Sequence, residues 1–103
     1  MTIQKNVRQA LIKCQNDITT YQMPTNKPDQ KKRSKGDMET HVLSLLNLIP
    51  GIQEKDRDLR KELHSLQKTF KQFAEKENDE NLAAFQNELA RIQELLDNIE
   101  KGA

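Results

Sequence analysis

The chain has 103 residues, and its 34% hydrophobic and 32% charged composition describes one soluble domain with a modest core. With no Trp, one Tyr and three Gly it disfavours sheets and loop-built active sites, and the single Cys14 excludes an internal disulfide. The formal charge of +1 hides a division: residues 1–36 hold eight bases and two acids, residues 37–103 nine bases and fourteen acids.

Leu, Ile, Val and Phe number 24 of the 103 residues, about 23%, just above the ~20% level below which chains tend to stay disordered. An isolated monomer is therefore expected to be marginally stable. No N-terminal apolar run resembles a signal peptide or a membrane span, so no membrane is expected and the cytoplasm is the expected location; leaderless secretion would leave the same sequence.

In chain order, Ile3, Val7, Leu11, Cys14, Ile18 and Tyr21 step by three and four and predict an amphipathic helix filling an N-terminal segment, 1–22. Its stripe is thin, so it is expected to dock on the rest of the fold, on its own chain or on a second copy. Residues 23–36, MPTNKPDQKKRSKG, have no apolar residue after Met23 and read as a basic flexible linker.

A helical core over 37–103 follows. Asp37 reads as the N-cap of a short helix, 37–49, closed by Pro50-Gly51. Its Val42, Leu43, Leu45, Leu46, Leu48 and Ile49 cover roughly 220° of the helix surface, far beyond a one-sided stripe of about 100°. Such a helix is either enclosed by several others, a homodimer included, or presented to a partner. Val42, Leu43, Leu46 and Leu48 are the apolar partner-binding candidates.

The plainest periodicity comes last. Ile52, Leu59, Leu63, Leu66, Phe70 and Phe73 line up over 52–76, and Leu82, Phe85, Leu89, Ile92, Leu96 and Ile99 over 79–101. Alternating steps of three and four keep a seam facing a partner helix. Glu77-Asn78-Asp79 between them offers a residue tolerant of the left-handed conformation and an Asx N-cap, and so short a link demands an antiparallel hairpin. Residues 52–76 are mildly basic and 79–101 acidic, which suggests ion pairs across the seam. Leu95 lies beside the main stripe, and the short helix is its expected cover.

The chemistry-bearing residues are few. Cys14 falls on an apolar stripe and reads as a small hydrophobe, and His64 points away from the seam. Asp37 and His41 have a spacing that can ligate a metal, but no third ligand accompanies them. HExxH, CxxC, GxSxG, phosphate-loop and EF-hand patterns are absent, so no catalytic residue, metal or cofactor is assigned and the chain is not expected to be an enzyme. Lys31, Lys32, Arg33 and Lys35, with Lys27, form a basic cluster that could meet an acidic protein surface or phosphates, without aromatic residues for base stacking.

The reading is an all-α helical bundle built on an antiparallel, coiled-coil-like hairpin, with an N-terminal helix and a short apolar second helix. It is expected to be a homodimeric, non-catalytic interaction module acting as a small chaperone, adaptor or inhibitor of another protein. The alternative is a nucleic-acid-associated accessory protein using the basic linker.

Overall fold

A computed structural model describes residues 3–23 and 27–102 of the chain. The expected N-terminal segment at residues 1–2, the linker at 24–26 and the core at 103 lie outside the described residues. Each apolar stripe becomes a helix: α1 (Ile3–Tyr21), α2 (Pro28–Asn47), α3 (Arg57–Glu75) and α4 (Asp79–Gly102), with one-turn 3-10 segments at Ile49–Gly51 and Glu54–Asp56. No strand occurs among the described residues, and the fold is an all-α bundle.

Side-chain contacts set the helix directions. Arg8 and Gln15 of α1 meet Asp97 and Gln93 of α4, and Asp17 and Tyr21 meet His41 and Lys31 of α2. Lys35 of α2 reaches Ala74 at the end of α3, and Phe70 of α3 stacks on Phe85 of α4. Each helix thus runs opposite to the next, in an up-down-up-down bundle of 43 × 23 × 21 Å. α1 packs on α2 as closely as α3 packs on α4, so α1 is one half of a hairpin of its own.

The core is one continuous apolar cluster. Leu59, Leu63, Leu66, Phe70 and Phe73 of α3 and Leu82, Phe85, Leu89, Ile92 and Leu96 of α4 are buried, and Ile99 is half-buried near the open end. Val7, Leu11, Cys14 and Ile18 of α1 and Met38, Val42 and Leu45 of α2 close the other two sides.

The expected linker is the main correction. From Pro28 onward it is helical, and Asp37 lies exposed inside α2 rather than at its start. Proline at the first helical position has a φ already suited to a helix and lacks only an N–H that would be unpaired there. Asp29 complements the helix dipole in the first turn, and the Lys27 N–H donates to Gln30 Oε1 at 3.3 Å. On the inner face, Lys31, Ser34 and Lys35 hold the positions that apolar residues hold further along, and Ser34 is only 4% exposed.

The other boundaries shift for local reasons. α2 stops at Asn47, and Pro50-Gly51 falls within the first 3-10 turn, where Gly51 faces Ile3 closely enough that an added Cβ would stand 3.1 Å from Ile3 Cδ1. α3 begins at Arg57 instead of Ile52, although Ile52 is still buried and its carbonyl accepts from Arg60 Nη2. Between α3 and α4 no residue takes a positive φ among those described. Lys76 is extended, and Asn78 is the cap, its Oδ1 accepting the Asn81 N–H at 2.7 Å.

Gly36 tests the helicity of the basic stretch. It sits inside α2, exposed, with nothing within 4 Å of where a Cβ would stand. Gly36→Ala is expected to stabilise the protein by about 0.5–1 kcal/mol, seen as a Tm rise of roughly 2–5 °C by circular dichroism; a flexible segment would give no change.

Candidate functional site

α2 has more apolar residues than its inner face can hold. Met38, Val42 and Leu45 take the inward positions, leaving Glu39, Leu43 and Leu46 in a second stripe at steps of four and three along its flank. Gln67, Phe70, Lys71 and Ala74 form the matching stripe on α3. Between the two runs a groove of about 220 Å³, with Val42 and Phe70 at its base and Leu43, Leu46 and Ala74 along its sides. Leu43 is 49% exposed, among the most exposed large apolar side chains described. Glu39 stands on the α2 rim and Lys71 on the α3 rim.

The expected partner-binding residues therefore divide. Val42, only 2% exposed, belongs to the core and offers no surface, because it continues the inner line of Met38. Leu43 and Leu46 flank the groove, while Leu48 is half-buried where α1 and α2 meet, beside Ala10 and His41.

The basic cluster divides as well. Lys31 Nζ donates to the Tyr21 carbonyl at 2.9 Å and lies 4.5 Å from the Tyr21 ring centroid. Lys35 Nζ donates to the Ala74 carbonyl and to Glu77 Oε2, each at 3.1 Å. Both ammonium groups thus sit on the carbonyl ends of helices, α1 and α3, where the helix dipole favours a cation. Tyr21 completes the cluster, donating to Glu77 Oε1 at 2.9 Å and packing edge-on against Phe73 with centroids 5.4 Å apart. Burial opposes charge on Glu77, yet Lys35 and then Tyr21 hold its carboxyl below the usual value. Lys32 and Arg33 remain on the exposed face.

His41 pairs with Asp17 of α1, not with Asp37. Burial raises the Asp17 carboxyl, against the opposing hydrogen bond from His41. Among the described residues no group of three His, Cys, Asp or Glu could hold a metal ion, and no helix is long and apolar enough to cross a membrane. Cys14 is buried, and burial pushes its thiol up to about 12, far from the thiolate a nucleophile needs. His64 is exposed.

Residues 48–102, more than half of the chain, match the family described as mating-type protein beta 1. The chain belongs to that family. No curated protein and no solved structure matches it. The segment matched to the mating-type family begins at the end of α2 and includes α3 and α4, so it contains the α3 side of the groove.

The same segment holds a pair that periodicity did not reveal. Glu88 of α4 is 4% exposed and interacts with Glu62 of α3, and the Oε2 atoms of both carboxyls are buried without a hydrogen-bond partner among the described residues. Burial first, then Glu62, pushes Glu88 up to about 7, with Arg91 and Ser65 opposing. Arg91 comes only to 3.6 Å of Glu88 Oε2. No ion pair joins α3 to α4 among the described residues, so this acid pair replaces the expected charge complementarity, and the acids Asp97 and Glu100 meet Arg8 of α1 instead, at 2.7 and 3.0 Å. Leu95 lies next to Glu62 in an outer cleft with Arg91, Glu94 and Asn98, and not under α2, because α2 packs against α1 and α3. The one sequence signal for the pair is that Glu62 and Glu88 each precede a seam leucine, Leu63 and Leu89.

In the unfolded chain Glu88 ionises near 4.5, and in the folded protein near 7. Its contribution to stability is fully present below about pH 4.5 and is lost as pH rises through 7. Glu88→Gln keeps the shape without the charge. Relative to the native protein it is expected to be equally stable near pH 4.5 and about 1–2 kcal/mol more stable at pH 8, measured by urea unfolding at both pH values.

Proposed function

We propose that this chain is a non-catalytic helical module through which a mating-type protein binds another protein, as a small adaptor, chaperone or inhibitor. The α2–α3 groove is the observation that carries this reading. Two stripes at helical spacing, with an exposed Leu43 and the half-buried Leu46 beside Phe70, make an apolar trough with charged rims. That is the surface an amphipathic helix of another chain occupies, its apolar residues taking up the groove and its charges the rims. Full seating of one leucine would contribute about 1.5–3 kcal/mol, so a few such anchors can support specific binding.

A nucleic-acid reading has less support. Lys31 and Lys35, two of the five bases in the cluster, hold carbonyl groups of the bundle, and neither can neutralise a phosphate without releasing a helix end. The buried, unpaired Cys14 suits a reducing compartment, and the cytoplasm is the proposed location.

A photo-crosslinking residue at position 43, compared with one at the exposed position 64, tests the reading in native cells. The expected outcome is a covalent adduct with a protein chain from position 43 and none from position 64. Irradiation that gives no adduct at 43, or equal adducts at both, removes the groove as a binding site.

A further inference from the structure

The α2–α3 face is complementary to itself. Leu43 projects beside the groove it helps to line, with Phe70 at the base and Lys71 on the α3 rim. Glu39 stands on the α2 rim, and because the two helices run in opposite directions it lies level with the Lys71 end of α3, near where Lys35 reaches Ala74. Neither the Glu39 nor the Lys71 side chain has a hydrogen bond or ion pair within the chain among the described residues. A two-fold axis drawn along the groove sets α2 of one copy over α3 of the other. Each Leu43 then meets the other copy's groove on its Phe70 side, and each Glu39 faces the other copy's Lys71. An axis drawn across the groove would bring α2 onto α2 and leave both charges unmatched.

We infer that a second copy of this chain docks on the α2–α3 face, forming a two-fold dimer with Leu43 as the apolar anchor and Glu39–Lys71 pairs fixing its orientation. The inference rests on the reading of this groove as a protein-binding surface and names its occupant. Opposite charges on the two rims are what select a second copy. A two-fold contact places the same patch on both sides, so the patch must carry the complement of each of its own charges, and this one does. The long dimension of 43 Å and the cross-section of 23 × 21 Å leave a face of two helices, suited to a standard-size interface of about 800 Å² per partner and smaller than the interfaces of obligate dimers. The dimer is therefore reversible and concentration-dependent.

Sedimentation equilibrium of the full chain tests this. The mass is expected to rise from 12.0 kDa toward twice that value as concentration increases from about 5 to 500 μM. Leu43→Glu, at a half-exposed position that leaves the core intact, is expected to hold the mass at the monomer value with an unchanged helical circular dichroism spectrum. Glu39→Lys and Lys71→Glu are each expected to weaken the dimer at least tenfold. Mixing the two single variants, or combining them in one chain, restores association, because every opposed pair is again of unlike charge. A mass of 12.0 kDa at all concentrations overturns the inference, as does a dimer indifferent to Leu43→Glu or charge reversals that fail to rescue each other. A monomeric chain that still crosslinks from position 43 to a different protein would overturn the second copy as occupant and leave the wider reading standing.

Discussion

A helix in a four-helix bundle has one inward arc, and only what lies on that arc is removed from water. α3 obeys this limit closely, and α1 and α4 largely do: most of their buried apolar residues recur at steps of three and four, with Ile12 of α1 and Leu95 of α4 as single apolar residues off the inward arc. The second half of α2 exceeds it. Met38, Val42 and Leu45 use up the inward arc, so Leu43 and Leu46 have to stand on the flank. Their exposure follows from geometry, since any rotation of α2 that hid Leu43 would draw Met38 or Val42 out of the core. An apolar trough beside α3 is the outcome, and its position is set by the packing of the core beneath it.

Polar contacts set the ends and flanks of the bundle. At one end Lys31, Lys35, Tyr21 and Glu77 join three helices through two carbonyl termini and a shared carboxylate. Along the α1–α4 flank Arg8 bridges Asp97 and Glu100, and Gln15 meets Gln93 at 2.9 Å. Asp17 and His41 close the α1–α2 side. Exposed pairs of this kind contribute little energy individually. They matter here for orientation, because four amphipathic helices could pack in several rotations and these contacts favour one. The Glu62–Glu88 pair acts the other way, as a contact between two acids in which burial first, and then Glu62, raises the Glu88 carboxyl.

Apolar spacing alone located the seam of α3 and α4, from Leu59 to Phe73 and from Leu82 to Leu96, and the stripe of α1, because burial acts on every third or fourth residue and leaves that period in the chain. The first half of α2 escaped for the same reason. Its inner positions are Lys31, Ser34 and Lys35, whose aliphatic stems and small size fill the space without any hydrophobic signature. A stretch of bases with Pro28 and Gly36 then looks like a linker, although proline at a first helical position and a glycine with open surroundings are both compatible with a helix. At the groove, the excess of apolar residues on α2 was visible in the sequence, but which of them face outward was not. Val42 and Leu43 are neighbours in the chain with opposite fates, decided by the rotation of α2 that its lysines and Met38 impose. Pairings between separate helices, such as Asp17 with His41 or Glu62 with Glu88, depend on the packed arrangement and leave no period to read.

The two capping lysines give the basic stretch a role distinct from recognition. Their ε-amino groups lie against main-chain oxygens at the ends of two different helices. An acyl group on either amine would remove the positive charge and crowd the oxygen it serves. Acylation at Lys31 or Lys35 would therefore be felt first as fraying of α1 or α3, and only afterwards at the outer face. Acylation at the solvent-facing Lys32 would leave the scaffold untouched.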